Sequence, residues 1–281
     1  MKMQVGIGSF RELDYFLAAG AGEFYCGLDK IPSHVEGACN FGSLDDILTA
    51  ARLVHAAGGK MFFAANEVHA SLLEETGCVI RELANGGIDG VIIKDLALLD
   101  LLKRRGIKTA YILSTLSCCM NAATLAVYRG YGVKRLALPE QLNPAETREL
   151  VCNSWGIVSE VFLKARECCR NFNGLCFLDC HGKQSNTCGK SFRREGGGVF
   201  RMPGFSPEEH MAQLHDYYHM GVGVLKVGRS PRPETSRLVF KEALLLLDLL
   251  KSGLGRKAFT GEALRVHTVF DKAYRHLIER V

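Results

Sequence analysis

The chain alternates short apolar runs with amphipathic segments, and most of the amphipathic segments end at glycine. Short apolar runs indicate buried strands, and the amphipathic segments have the period of helices. The predicted strands are 4–8, 23–27, 60–68, 90–93, 109–114, 136–139, 158–163 and 222–227. The predicted helices are 11–19, 44–57, 72–84, 96–104, 122–131, 145–152 and 236–251. Eight strands alternating with helices predict an α/β fold, a (β/α)₈ barrel of the TIM type.

An open, doubly wound parallel sheet is the alternative fold. It is disfavoured because no G-x-G-x-x-G motif follows the first strand, where a dinucleotide site would place one. With 281 residues and 47% hydrophobic content, the chain can bury a large core. No linker divides it, so we predict a single domain, 1–281, with an insertion at residues 165–220 after the seventh strand.

Net charge and apolar patterning limit the partners and the compartment. The formal charge of +5 permits an anionic substrate or a nucleic-acid partner without requiring either. No signal peptide is recognisable and no apolar run is long enough to cross a bilayer, so we expect a cytoplasmic protein without a membrane partner.

Residues 160–192 form the most unusual stretch of the sequence. The stretch contains Cys168, Cys169, Cys176, Cys180 and Cys188, separated by glycines and many polar residues. Cysteines in so polar a segment, with neither a helical nor a strand period, favour a metal-cluster loop over buried thiols or disulfides. Zinc is the alternative metal, although paired C-x-x-C motifs are absent.

Polar residues directly follow most of the predicted strands, at the face where barrels carry their chemistry. They are Asn66, Glu67, Lys94, Asp95, Ser114, Thr115, Glu140, Gln141, Lys164 and Arg229. Helix capping is the ordinary explanation for Asp95 and Ser114. Glu140 would need a cationic partner, and Lys164 and Arg229 are the nearest candidates.

From this set we predict roles for six residues. Glu140, Lys164 and Arg229 are the predicted catalytic residues, and Asn66, Glu67, Ser114 and Arg229 are predicted to bind substrate. The Arg229 guanidinium suits bidentate pairing with a substrate carboxylate, although a structural ion pair with Glu140 is the alternative. Lys226 is interpreted as strand packing or as a partner of Glu140.

Several blocks of the sequence resemble the peptidase U32 family. They are GVIIKDLALLDLLKRRG, ILSTLSCCMNAATLAVYRGYGVKRLALPEQLNPAE, EVFLKARECCRNFNGLCFLDC and LKVGRSP, in the order in which the family has them. The family's two cysteines, separated by six intervening residues in an S/N-G-x-C context, are matched by Cys169 and Cys176. The resemblance implies the barrel fold, a four-cysteine [4Fe-4S] cluster and oxygen-independent hydroxylation of a small aromatic, quinone-like or nucleoside substrate, with prephenate as a candidate hydroxyl donor.

The resemblance also implies a ligand set. Cys169, Cys176 and Cys188 are the implied cluster ligands, and Cys39 is preferred over Cys180 as the fourth, because the loop after strand two opens on the active face. Asn121 occupies the position of a family asparagine and is predicted to bind substrate.

Other activities remain open at this point. Some members of the family work as heterodimers, so a related U32 protein is a candidate partner, and a non-catalytic cluster subunit is one alternative function. Peptidase activity is another, but no H-E-x-x-H or G-x-S-x-G motif is present.

Overall fold

A computed structural model describes residues 1–33, 39–66, 68–163, 191–201, 205–230 and 232–279. Eight parallel strands form a closed barrel in the order β1-β10-β7-β6-β5-β4-β3-β2. These strands are β1 (Lys2–Gly6), β2 (Glu23–Cys26), β3 (Lys60–Ala65), β4 (Gly90–Ile93), β5 (Ala110–Leu113), β6 (Val133–Ala137), β7 (Val158–Leu163) and β10 (Val224–Val227). The predicted (β/α)₈ barrel is therefore confirmed.

Helices surround the barrel. They are α1 (Phe10–Ala18), α2 (Leu44–Ala56), α3 (Leu73–Asn85), α4 (Leu96–Arg104), α5 (Ala122–Gly130), α6 (Arg148–Val151), α7 (Pro207–Met220), α8 (Pro233–Lys251) and α9 (Arg256–Glu279). Five of them begin at a side chain that accepts a hydrogen bond from the first turn, namely Ser9, Ser43, Asp95, Asn121 and Ser206. Such caps fix where each helix starts relative to the strand before it.

Several elements differ from the sequence prediction, and the sixth strand runs from Val133 to Ala137 rather than over 136–139. The helix predicted at 145–152 shortens to α6, because the Thr147 hydroxyl donates to the carbonyls of Asn143 and Pro144 and so competes with the helix ladder. The predicted insertion contains α7, which supplies the helix between β7 and β10, and an antiparallel hairpin of β8 (Ser191–Arg193) and β9 (Val199–Arg201). The helix α9 was not predicted, and it packs against α7 and α8.

The main core lies between the outside of the barrel and its helices. Its largest fully buried side chains include Phe16, Phe24, Phe63, Phe240 and Phe259, and the rings of Phe16 and Phe240 meet edge to face at 5.0 Å. A smaller cluster of Phe62, Ala64, Ile92 and Ile112 is separate from this core, with Tyr25 packed against it. None of the helices in the described part of the chain combines the length and the apolar character needed to span a bilayer.

Candidate functional site at the mouth of the barrel

The loops that follow the barrel strands form one face of the molecule, which we call the mouth. Alternate residues of a strand face the same side. Phe62 and Ala64 belong to the smaller cluster, which lies inside the barrel. Asn66, two residues after Ala64, therefore faces the barrel interior at the mouth. Asn66 is buried, and its Oδ1 has no hydrogen-bond partner among the described residues. An amide oxygen without a partner at a barrel mouth can accept a hydrogen bond from a ligand.

Arg229 follows β10 at the mouth and is half-buried. Its Nη1 donates to Asn40 Oδ1 at 2.7 Å, and its backbone N–H donates to the hydroxyl of Tyr25 at 3.1 Å. That hydroxyl in turn donates to the carbonyl of Val227 at 3.3 Å, which fixes the end of the strand. Among the described residues, the buried Nε of Arg229 has no acceptor, and its guanidinium makes no ion pair with Glu140 or another carboxylate.

Glycines make room for this arginine. A Cβ at Gly6 would lie 2.7 Å from the Tyr25 ring and 3.0 Å from Arg229 Cβ. A Cβ at Gly8 would overlap both the carbonyl oxygen of Cys39 and the Nη2 of Arg229. The Cys39 carbonyl and the Arg229 guanidinium therefore lie side by side over Gly8, in space that only glycine leaves open.

The barrel interior beneath Arg229 is charged. Lys226 Nζ lies 3.0 Å from Glu160 Oε1, and Arg135 Nη1 lies 2.6 Å from Glu23 Oε2 and 3.6 Å from Glu160 Oε2. Lys226 Nζ also lies 4.4 Å from the centre of the Tyr25 ring. Burial lowers the pKa of Lys226, against the opposing attraction of Glu160.

These two acids and two bases form a buried ion network. Lys226 contacts the ring of Tyr25, which binds the backbone of Arg229, so the network supports the mouth from below. The sequence analysis missed this network. The sequence did contain a signal for it. A single charged residue occupies an inward-facing position in each of two otherwise apolar strands, VSEVFL and VLKV. Lys226 pairs with Glu160 rather than with Glu140.

Two other predicted site residues act as helix caps. Ser114 Oγ accepts from the N–H of Leu116, and the side chain of Asn121 accepts from the N–H of Thr124 at 2.9 Å. Glu140 is half-buried at the mouth. Glu67 and Lys164 lie outside the described residues, as do Cys169, Cys176, Cys180 and Cys188, so their predicted roles stay predictions.

Two cysteines follow β5 at the mouth. Cys118 adopts a left-handed backbone conformation with φ of 53°, and burial raises the pKa of its thiol while Lys94 opposes the rise. Cys119 is buried, and its burial raises the thiol pKa to about 12. A thiol with so high a pKa is almost fully protonated at neutral pH, so Cys119 is inert as a nucleophile.

The described residues do not by themselves form a metal site. Within the described ranges, no three His, Cys, Asp or Glu side chains lie close enough to hold a metal ion. Cys39 is free, half-buried and at the mouth. β7 ends at the same face with Leu163. A thiol such as that of Cys39 is a donor that suits an iron–sulfur cluster or zinc.

The geometry defines a TIM-barrel protein with its polar ligand-binding groups gathered at the C-terminal ends of the strands. Residues 8–239 match the family described as "Peptidase family U32". The chain belongs to this family. A search of curated protein sequences finds no significant match.

Solved structures share the fold at low sequence identity. The U32 peptidase Mk0906 is 10% identical, covers 83% of this chain and 94% of its own, and has a TM-score of 0.51. Oxaloacetate acetylhydrolase in complex with oxalate is 11% identical, with coverages of 100% and 93% and a TM-score of 0.51. The protein CutC from Streptococcus agalactiae is 10% identical, with coverages of 82% and 99% and a TM-score of 0.50. At these identities the likeness concerns the fold alone.

Proposed function

We propose that the protein is an iron–sulfur-dependent, oxygen-independent hydroxylase or related oxidoreductase of the U32 family. Its proposed substrate is a small aromatic, quinone-like or nucleoside compound. The observation that carries the proposal is the juxtaposition of Cys39 and Arg229 over Gly8. The backbone carbonyl of Cys39 and the guanidinium of Arg229 lie side by side at the mouth, so a metal on the thiol of this cysteine would be near an anionic ligand on Arg229.

The proposed cluster ligands are Cys169, Cys176 and Cys188, with Cys39 or Cys180 as the fourth. Between β2 and β7 lie only β1 and β10, so the two loops are about 14 Å apart along the barrel wall, three strand spacings. Cys169 is six residues beyond Leu163, and a chain of that length can extend about 20 Å. A shared site with Cys39 is therefore within covalent reach. When bound, a [4Fe-4S] cluster would supply electron transfer or, at an iron with a free position, polarisation of a substrate oxygen.

Arg229 is the proposed anchor for an anionic group. Asn40 and Tyr25 hold the guanidinium and the backbone, and the buried Nε still lacks an acceptor. A carboxylate bound there would accept a hydrogen bond from this Nε, whose burial otherwise costs desolvation free energy. Prephenate, the candidate hydroxyl donor, carries such carboxylates. Asn66 Oδ1 is a proposed acceptor for a substrate N–H or O–H group, while Glu140 and Lys164 are the proposed proton-transfer pair.

Anaerobic purification and reconstitution test the cluster. The expected protein is brown, binds iron and sulfide, and loses both in Cys169→Ala, Cys176→Ala and Cys188→Ala. Loss in only one of Cys39→Ala and Cys180→Ala identifies the fourth ligand. Cys152→Ala is the matched control, because Cys152 is exposed after α6, away from the mouth. A colourless, zinc-containing protein would refute the iron–sulfur proposal.

Equilibrium binding of prephenate tests the anchor. Arg229→Lys keeps a cation but loses the planar fork, so we expect binding to weaken by about 1.5 to 3 kcal/mol, the value of a charged hydrogen bond. Iron content should stay at the wild-type level. An Arg229→Lys protein that binds prephenate as the wild type does would remove Arg229 from the site. Wild-type iron without any turnover would favour the alternative of a cluster-carrying partner subunit.

A further inference from the structure

Hydrogen bonds connect residues that follow β10 to the first turn of α8. The backbone N–H of Ser230 donates to Ser236 Oγ at 3.1 Å, and the backbone N–H of Arg232 donates to Ser230 Oγ at 3.1 Å. Both serines are buried, with exposures of 7% for Ser230 and 1% for Ser236. Two backbone donors are thus satisfied within the loop, which holds the first turn of α8 against the end of the strand.

Two polar groups of the same turn have no partner among the described residues. Within these residues the hydroxyl of Thr235 makes no hydrogen bond, although Thr235 is only 2% exposed. The Nη1 of Arg232 is buried and has no acceptor in the described part of the chain, and Arg232 makes no ion pair with the described carboxylates. Thr235 is the third residue of the helix, a position from which side chains reach back to the residue that precedes the helix, here Arg232. Unsatisfied buried donors are uncommon in native proteins and point to a missing acceptor.

The helix itself favours an anion at this position. α8 has 19 residues and begins at Pro233, and Arg232 gives it no side-chain cap. The N-terminal end of such a helix carries a partial positive charge, although Pro233 has no N–H and the N–H of Thr235 already donates to the carbonyl of Arg232. Glu234 lies in the same turn, but its side chain is exposed and its charge is screened by solvent.

We propose that Arg232, Thr235 and the N-terminus of α8 bind a phosphate group. A phosphate has enough oxygens to accept from a guanidinium, a hydroxyl and a helix terminus together, whereas a carboxylate has only two. Arg229 lies at the start of the same loop, so the phosphate would sit beside the proposed carboxylate anchor. The inference rests on the proposed function, because it chooses within the substrate class proposed there. It selects a phosphorylated, nucleotide-like substrate over a quinone-like one.

Calorimetric titration with inorganic phosphate tests the site, with acetate as the comparison anion. We expect wild-type protein to bind phosphate more tightly than acetate. Arg232→Gln should weaken phosphate binding at least tenfold, because it removes a charged hydrogen bond, and Thr235→Val should weaken it about threefold or more. Thr235→Ser keeps the hydroxyl and should restore binding. Arg265→Gln removes an equivalent charge from an exposed position on α9 and should leave binding unchanged.

A second titration compares a nucleoside 5′-monophosphate with its nucleoside. We expect the monophosphate to bind at least tenfold more tightly, and to lose this advantage in Arg232→Gln. Wild-type protein that binds neither phosphate nor the monophosphate, or an Arg232→Gln protein that binds both normally, would overturn the proposal. Iron content is measured on the same preparations, so a failure of the cluster is recognised separately from a failure of the phosphate site.

Discussion

Replacing Lys226 with methionine tests whether the buried ion network supports the mouth. Methionine keeps an unbranched side chain of similar length between the rings of Tyr25 and Phe162, so the substitution removes mainly the charge. It leaves the carboxylate of Glu160, which is fully buried, without its nearest cation. The expected consequence is a loss of stability that arises from Glu160 rather than from packing.

The magnitude follows from the distances. Removing one partner of a buried ion pair costs about 3 to 5 kcal/mol, because the remaining charge stays desolvated. Arg135 remains 3.6 Å from the other oxygen of Glu160 and compensates part of the charge. We therefore expect the lower end, about 3 kcal/mol. For a chain of this size that corresponds to a fall in Tm of about 6 °C.

Urea unfolding at pH 7, followed by circular dichroism, measures the change. The double variant Lys226→Met, Glu160→Gln removes both charges, and we expect it to be more stable than Lys226→Met alone. The coupling energy from the double-mutant cycle should reach about 2 kcal/mol. A coupling energy below about 0.5 kcal/mol would refute the reasoning, since it would mean that the two charges do not depend on each other.

Three further predictions concern the mouth and its surroundings. Gly8→Ala introduces a Cβ into occupied space, so it should abolish prephenate binding and lower the free energy of unfolding by about 1 to 3 kcal/mol. Gly42→Ala is the control, because a Cβ there meets nothing within 4 Å, and it should change neither quantity in the same assays. Burial raises the pKa of Tyr217 to about 12, so the neutral phenol is favoured in the folded protein. Below pH 10 its hydrogen bond should stabilise the protein by about 1 kcal/mol over Tyr217→Phe, and this difference in urea unfolding should fall and then change sign as the pH rises from about 10 to about 12; an unchanged difference at high pH would contradict the assignment. Thiol labelling at pH 8 with peptide mapping should modify exposed Cys152 and spare Cys119 until the protein is denatured, and equal native labelling would show that Cys119 is accessible.

The barrel could be predicted because its signal is repeated along the whole chain. Each unit carries a short apolar strand followed by a helix, and most of the helices have a capping residue or end near a glycine, so an error in one unit leaves the count intact. The fourth unit shows the best agreement, since Gly90–Ile93 and Leu96–Arg104 have the predicted bounds. Strand ends were less accurate. The first strand begins two residues earlier than predicted because Lys2 and Met3 pair with β10, a partner more than 200 residues away in sequence.

The helix α7 was missed because its local pattern is weak. It contains three histidines and three acids in its 14 residues, and this composition hides its apolar stripe of Met211, Leu214 and Tyr217. The ion network was missed for a different reason. A charged residue in an apolar strand is evidence against burial when only the sequence is considered, and its partners come from strands that are distant along the chain.

The site itself depends on contacts that no sequence period encodes. Gly8, Cys39 and Arg229 come from three separate loops, and each has an ordinary local explanation: a turn, a loop thiol and a solvated cation. Their meeting is a consequence of closure, because β1 lies between β2 and β10 and brings the ends of all three strands together. In the closed barrel, the missing side chain of Gly8 leaves the space in which the guanidinium of Arg229 and the carbonyl of Cys39 lie side by side. The glycine that ends the first predicted strand is therefore the one that allows the guanidinium of Arg229 to lie against the carbonyl of Cys39.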